Sequence, residues 1–143
     1  MLVYVVSHGE TMSNIEGRVQ GQSNDPLNEN GIRLAKVTGQ GLKEVHFDGC
    51  ISSPLIRVKE TAEIIPQERG NSDVQISFDD RIKEISFGHY DGKHLGTSEL
   101  PIEEADNFLH VPFQFAGFPG GERIRQVCNR TQEFLKELCK RDE

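Results

Sequence analysis

A short apolar run near the start of the chain, Leu2–Val6 (LVYVV), limits the choice of fold more than any other segment. Three of its five residues are valine, and apolar side chains would lie on both faces of an extended backbone. Such runs are typical of central strands in parallel sheets, which are covered on both sides. The run therefore predicts a buried parallel strand and, with it, an α/β fold.

Strand and helix patterns alternate after this run. Alternation of this kind is typical of α/β domains in which right-handed crossovers connect parallel strands. We predict one domain over residues 1–143, a length sufficient for a single hydrophobic core. The predicted elements are a helix over about 28–43, a strand over Phe47–Ser53, a helix from Ser53-Pro54 to Pro66, a strand over Val74–Phe78 and a helix over about Arg123–Lys140.

The predicted helix boundaries depend on residues with capping or breaking preferences. Asn28 has the side chain of an N-cap residue. Ser53 followed by Pro54 is typical of an N-cap and a first helical position. Pro66 is expected to end that helix, because proline lacks the N–H that the helix needs.

The segment between Gly88 and Gly121 departs from the alternating pattern. It contains four of the eight phenylalanines, together with prolines and glycines. We interpret residues 94–121 as a partly helical excursion, and two roles remain open for its rings. They either fold over a binding site as a lid or close one end of the core.

Composition excludes several classes of protein. Sixteen Lys+Arg against 23 Asp+Glu give a net charge of −7, which argues against nucleic-acid binding. No apolar run is long enough for a membrane span, and we expect no membrane partner. The three cysteines form no CxxC pair, so we interpret them as reduced thiols of a cytoplasmic protein.

His8 follows the predicted first strand by two positions, and Gly9 follows His8 at once. Ligands of open α/β sheets bind beyond the carboxyl ends of the strands, so His8 should project into such a site. Glycine allows the backbone to approach a ligand closely. Taken alone, however, a histidine here is more often structural than catalytic.

Five motifs in order change this balance: SHGETMSN, EGRVQGQSNDPLNENG, SSPLIRVKETAEII, IKEISFGHYDG and PGGERIRQVCNRTQEFL. Together they resemble the histidine phosphatase superfamily, the phosphoglycerate mutase-like proteins, over nearly the whole chain. The resemblance implies a three-layer α/β/α sandwich around a mostly parallel sheet. It also implies phosphoryl transfer through a phosphohistidine, with no metal or other cofactor and a small phosphorylated substrate.

The resemblance also implies roles for individual residues. His8 is the nucleophile, which divides one difficult displacement into two easier ones. Arg57, in the first turn of its helix, stabilises the transferred phosphoryl group, and Glu84 protonates the leaving alkoxide. We expect the Glu84 carboxyl to be buried beside other anions, which would raise its pKa. The remaining matched positions line the phosphate pocket: Ser7, Gly9, Asn14 and Arg18.

Two features depart from the family pattern. The nucleophile is normally preceded by arginine, and this chain has Ser7 there, which supplies neither charge nor a bidentate fork. The segment that carries the family's second histidine on a central strand is also absent from the sequence, so the sheet is expected to be incomplete at the C-terminus. The chain could be part of a longer protein, a natural short member with little or no catalysis, or a protein that completes its sheet with a second copy as a homodimer. We favour the first.

The leading functional hypothesis is a phosphatase that acts on a small phosphorylated metabolite. A mutase is less favoured, because phosphoglycerate mutases are longer. A catalytically inactive phosphate-binding module is the alternative from a different class. A Ser7 nucleophile with His8 as its base is disfavoured, since adjacent strand residues point to opposite faces. The spacing of His89 and His94 suits no metal site that we can name.

Overall fold

The structure of the protein, a computed structural model, describes residues 1–70, 73–94 and 102–141. It consists of two compact units, one formed by Met1–Met12 with Asn24–Asp80 and the other by Ser13–Ser23 with Arg81–Glu143. Residues 95–101 of the predicted excursion lie outside the described residues. The elements in chain order are α1 (Met12–Glu16), α2 (Glu29–Gly41), β1 (Cys50–Ser52), α3 (Ile56–Glu68), β2 (Ile76–Phe78), α4 (Ile102–His110) and α5 (Ile124–Lys140), with short 3-10 turns at Asp80–Ile82 and Gly88–Tyr90.

The first unit contains a parallel sheet. Strands β1 and β2 pair in parallel, with Cys50 opposite Ile76 and Ser52 opposite Phe78. Helices α2 and α3 pack against each other, and α3 also packs against β1. The α/β class and the parallel pairing predicted from the sequence are confirmed.

Helix α2 begins where the sequence predicts. The Asn28 side chain accepts a hydrogen bond from the Gly31 N–H at 2.8 Å, which satisfies one of the backbone donors that a helix start leaves unpaired. The cap is a local interaction, which is why the sequence alone identifies it.

Both predicted ends of α3 are wrong. Its N-cap is Leu55 rather than Ser53, and the first helical residue is Ile56 rather than Pro54. The Ser53 hydroxyl instead accepts a hydrogen bond from the N–H of Leu55 at 3.4 Å, within a buried turn. Pro66 lies inside the helix, is buried and is followed by two more helical residues. A proline so near the end removes only one of the helix's hydrogen bonds, and burial of its ring offsets part of that loss.

The buried central strand predicted over Leu2–Val6 is also wrong. This segment forms no strand in the described part of the chain, and its five side chains are 45–92% exposed. The Tyr4 ring packs edge-to-face on Phe47, with ring centroids 5.3 Å apart. A run that is apolar on both faces forms a central strand only with neighbours on both edges, and the described strands β1 and β2 pair with each other.

The second unit is organised around aromatic rings. Phe118 is buried and contacts the rings of Phe87, Tyr90, Phe108 and Phe115 at centroid separations of 4.6–5.9 Å. Three of the four phenylalanines of the predicted excursion thus close a core, and Phe113 is exposed. The other role, in which the excursion folds over a binding site as a lid, stays a prediction.

Helix α5 begins at Ile124 with Arg123 as its N-cap and ends at Lys140, as predicted. Within the described ranges, no helix has both the length and the apolar character that crossing a membrane requires. All three cysteines are present as free thiols.

Candidate functional site

His8 lies in a loop of the first unit and is half-buried. Its Nδ1 atom is 2.6 Å from the carbonyl oxygen of Gly9. A carbonyl oxygen can only accept a hydrogen bond, so Nδ1 must carry the proton. In the neutral ring, Nε2 then holds the lone pair, and this atom is the one able to attack an electrophile.

Gly9 tethers the His8 loop to helix α3. Its N–H donates to the Thr61 hydroxyl at 3.0 Å. A Cβ atom at Gly9 would lie 2.7 Å from the backbone oxygen of Gly31, nearer than real Cβ contacts. Only glycine therefore fits this close approach of two backbones.

Glu10 anchors the same loop to the start of helix α2. Its Oε1 atom accepts hydrogen bonds from the side-chain amides of Asn28 and Asn30, both at 3.0 Å. These two bonds, with a further contribution from the charge of Arg33, hold the pKa of the Glu10 carboxyl below its ordinary value. The loop that carries His8 is thus fixed to both helices of its unit.

Arg57 is the second residue of helix α3 and is 1% exposed. The Thr61 hydroxyl donates to the Arg57 carbonyl oxygen at 2.7 Å and also accepts the bond from Gly9. Burial lowers the local dielectric, so a guanidinium at this position attracts an anion more strongly than one in water. Thr61 therefore joins the backbones of the predicted nucleophile loop and of the predicted phosphate-binding helix.

Ser7 precedes His8 and is exposed. Residues 1–9 form no strand in the structure, so alternation along a strand does not place the Ser7 and His8 side chains on opposite faces. The hydrogen bond from His8 Nδ1 to the Gly9 carbonyl oxygen leaves the Nε2 lone pair available, so this bond does not distinguish a nucleophilic His8 from a basic one.

Asn14 and Arg18 belong to the second unit. Asn14 lies on α1 and is exposed. The Arg18 Nε donates to the Glu16 carboxylate at 2.6 Å, and its Nη1 donates to the Gly92 carbonyl oxygen at 3.0 Å. A phosphate at Arg18 would compete with Glu16 for the same guanidinium.

Glu84 also belongs to the second unit, between the two 3-10 turns. The expectation that its carboxyl is buried is wrong, because the residue is exposed. Its Oε1 atom accepts a hydrogen bond from the N–H of Ile85 at 2.8 Å, and Ile85 itself is 4% exposed. The backbone of this segment turns the apolar neighbour inwards and leaves the carboxylate facing solvent.

Three residues that the sequence does not single out contact these predicted positions: Gln22, Thr61 and Arg130. Glu122 in turn contacts Gln22 and Arg130. Thr61 lies four residues from both Arg57 and Ile65, on the buried face of α3. A polar residue on an otherwise buried helix face is the signal that could have identified it.

The structure places the predicted residues in two groups. His8, Gly9 and Arg57 are joined through Thr61 in the first unit, and Asn14, Arg18 and Glu84 lie in the second. A cavity of about 250 Å³ in the second unit is lined by residues 113–116 and 123–125, none of which is a predicted site residue. No cluster of three metal-ligating side chains is present where the structure describes them.

Comparison with known proteins places this geometry in a family. The chain is 35% identical over 140 residues to a Xenopus tropicalis protein named fructose-2,6-bisphosphatase TIGAR, covering 95% of this chain and 49% of that protein. It is 35% identical over 133 residues to a Salmonella choleraesuis protein named "Probable phosphoglycerate mutase GpmB", covering 93% and 60%. The chain thus spans about half to three fifths of these curated relatives.

Solved structures with the same kind of fold also match this chain. YhfR of Bacillus stearothermophilus superposes with a TM-score of 0.85 at 33% identity, over 95% of this chain and 66% of that chain. The alpha-ribazole phosphatase of Shigella flexneri gives 0.81 at 25% identity, over 94% and 65%. The family model of the histidine phosphatase superfamily (branch 1) matches residues 3–143. The chain therefore belongs to the histidine phosphatase superfamily.

Proposed function

We propose that this protein is a phosphatase that hydrolyses a small phosphorylated metabolite through a phosphohistidine on His8. The observation that carries the proposal is the hydrogen bond between His8 Nδ1 and the Gly9 carbonyl oxygen, at 2.6 Å. It assigns the lone pair to Nε2, which a nucleophilic imidazole requires.

In the first step, Nε2 of His8 forms a bond to phosphorus as the ester P–O bond breaks. Glu84 in its carboxylic acid form donates a proton to the departing alkoxide and becomes a carboxylate. In the second step, a water oxygen bonds to phosphorus, the N–P bond breaks, and Glu84 takes a proton from that water. Inorganic phosphate leaves, and His8 and Glu84 return to their starting states.

The phosphoryl oxygens need fixed positive charge and hydrogen-bond donors around them. Arg57 supports this role best, because it is buried and its backbone is joined to the His8 loop through Thr61. We propose Gly9, Asn14 and Arg18 as further phosphate ligands, with Ser7 in place of the usual arginine. We expect neither a metal nor another cofactor to take part.

The substrate class rests on the relatives. Two of those compared are named as phosphatases, one of fructose 2,6-bisphosphate and one of alpha-ribazole phosphate, and a third is named as a phosphoglycerate mutase. The shared chemistry is a small phosphate ester, which we propose as the substrate here. We place the reaction in the cytoplasm, in keeping with three unpaired cysteines.

Incubation with 4-nitrophenyl phosphate tests the proposal. We expect turnover and an acid-labile phosphoryl group on the protein, both lost in His8→Ala. His46→Ala is the matched control, since His46 is an exposed histidine of the first unit outside the proposed site. Turnover or a label that persists in His8→Ala would refute the assignment of the nucleophile.

Ser7 favours a second candidate, a phosphate-binding module without turnover. Loss of an arginine that stabilises the transition state costs on the order of 10³-fold or more in rate. Phosphate binding that depends on Arg57, without turnover or label, would favour this module over the phosphatase.

A further inference from the structure

Arg130 of α5 uses all of its hydrogen-bond donors on one short segment and one carboxylate. Its Nη1 donates to the carbonyl oxygens of Arg81 and Lys83, both at 2.7 Å. Its Nη2 donates to the carbonyl oxygen of Glu84 at 3.1 Å. The Nε and Nη2 atoms also donate to the two carboxylate oxygens of Glu122, at 2.9 and 3.0 Å. The five N–H groups of a guanidinium are thereby all engaged.

Glu122 forms further hydrogen bonds to the backbone on the C-terminal side of Glu84. Its carboxylate accepts the N–H of Ser86 at 3.0 Å, and its own N–H donates to the Ser86 carbonyl oxygen at 2.8 Å. Gln22 bridges the two sides, because its amide donates to both the Glu84 carbonyl oxygen at 3.1 Å and the Glu122 carboxylate at 3.4 Å. The backbone is therefore held both before and after Glu84.

The pair is partly buried and charged. The side chains of Arg130 and Glu122 are 17% and 22% exposed. Burial alone would raise the pKa of Glu122, but the hydrogen bonds from Arg130 and Ser86, with the charges of Arg130 and Lys83, outweigh burial and lower it. Glu122 is thus ionised at neutral pH.

The hydrogen bonds of Arg130 and Glu122 go to the backbone around Glu84, and none of them goes to the Glu84 carboxylate. The carboxylate is exposed, with a hydrogen bond from the N–H of Ile85. An exposed acid keeps its position relative to a substrate only if its backbone is fixed. A misplacement of about 1 Å can lower the catalytic rate about 100-fold. We propose that Arg130 and Glu122 are positioning residues that hold Glu84 for proton transfer to the leaving group, an inference that rests on the proposed phosphatase function.

Leaving-group dependence tests this role. The nitrophenolate leaving group needs little protonation, whereas an alkyl phosphate such as glycerol phosphate depends on the acid. General acid catalysis is worth about 10² to 10⁴ in rate. In Arg130→Lys, which keeps the charge but loses the fork, we expect kcat for glycerol phosphate to fall about 100-fold and kcat for 4-nitrophenyl phosphate to fall less than about threefold.

Two further variants keep the test decisive. Arg125→Lys is the control, since Arg125 is an exposed arginine of the same helix and lies outside this network. Gln22→Leu removes one donor to the Glu84 carbonyl and disturbs the unit less than Arg130→Lys does. It should shift the ratio of the two esters in the same direction by about three- to tenfold. Equal losses on both esters, or no loss on either, would overturn the positioning role.

Hydrogen exchange measures how firmly the backbone around Glu84 is held, and it does not require turnover. The N–H of Ser86 should exchange at least about tenfold faster in Arg130→Lys, while that of Lys59 in the first unit keeps its rate. Unchanged exchange at Ser86 would overturn the proposal. Failure of the phosphatase function itself is distinguishable, because the wild type would then turn over neither ester, or His8→Ala would retain turnover of both.

Discussion

Gly9 donates a hydrogen bond from its N–H to the hydroxyl of Thr61, 3.0 Å away, and that hydroxyl donates in turn to the carbonyl oxygen of Arg57 at 2.7 Å. One buried side chain thus joins the loop of the proposed nucleophile to the first turn of the helix that carries the proposed phosphate ligand. The proposed mechanism depends on this link, because His8 and Arg57 must act on the same phosphoryl group.

Thr61→Val should weaken both stability and phosphoryl transfer. Valine keeps the shape but cannot accept from Gly9, and a buried N–H without an acceptor costs about 1–3 kcal/mol. We expect that loss in urea unfolding and a fall of about 10- to 100-fold in the rate of His8 phosphorylation. Thr61→Ser keeps the hydroxyl and should retain most of the rate. Equal rates in the valine and serine variants would show that the link does not matter.

Gly9→Ala should be destabilising on steric grounds. The new Cβ would lie 2.7 Å from the Gly31 backbone oxygen, so one backbone must move, at a cost of about 1–3 kcal/mol. Gly49→Ala is the control, because a Cβ there meets no atom within 4 Å. Its free energy of unfolding should change by less than about 0.5 kcal/mol. A Gly9→Ala variant as stable as Gly49→Ala would contradict the close approach.

Ser7→Arg should increase phosphate affinity or phosphatase rate. The substitution restores a charged, bidentate donor next to His8, and we expect a gain of about tenfold or more. Ser7→Lys supplies the charge without the fork and should gain less. Inhibition by inorganic phosphate and turnover of 4-nitrophenyl phosphate measure the two effects. Absence of any gain would mean that another group already compensates for the serine.

Glu16→Gln should tighten phosphate binding. The Glu16 carboxylate forms an ion pair with the Arg18 guanidinium, with Nε and Oε2 2.6 Å apart. The Glu16 side chain is 42% exposed and the Arg18 side chain 36%. Exposed ion pairs are worth about 0.2–1 kcal/mol, so removal of this competitor should improve affinity by no more than about fivefold. Glu63→Gln, which removes an exposed carboxylate paired with Lys59, changes the net charge equally and should have no effect. Equal affinity in the two variants would argue against Arg18 as a phosphate ligand.

Glu122 should make stability depend on pH in the acid range. Its pKa is lowered in the folded state, so the stabilisation is complete above the ordinary carboxyl pKa of about 4.3 and is lost as the pH falls through the folded value. The difference in unfolding free energy between the wild type and Glu122→Gln should therefore be constant from pH 8 to about 5 and narrow below about 4. Comparison with the variant cancels the similar contributions of Glu10 and Glu137, whose pKa values are also lowered. A difference that persists unchanged to pH 3 would contradict this assignment.

The sequence predicts elements that depend on local contacts. Asn28 caps α2 through a residue three positions away, and α5 has the bounds that its apolar periodicity indicates. Leu2–Val6 shows the opposite case, since its hydrophobicity predicts a strand but its pairing depends on residues far along the chain. The prediction that Pro66 ends α3 is wrong for a similar reason, because packing around α3 outweighs the local preference of proline against a helix interior.

The candidate site likewise contains residues that the sequence predicts and residues that it does not. The predicted site residues follow from local motifs and the family resemblance, whereas the residues that hold them do not. Arg130 lies on α5 between Val127, Thr131 and Phe134, all partly buried, so a charge on the apolar face of the helix was its only signal. Its acceptors lie 46–49 residues away in the sequence, apart from Glu122. No local pattern identifies such partners.

The position of the phosphoryl group on the imidazole shows whether Nε2 of His8 is the nucleophile. The protein would be treated with 4-nitrophenyl phosphate, stopped in alkali and examined by phosphorus–nitrogen correlation NMR with labelled histidine. Because Nδ1 of His8 is engaged by the Gly9 carbonyl oxygen, we predict phosphorus bonded to Nε2 of His8. Phosphorus on Nδ1, on another residue, or on no residue at all would contradict the account.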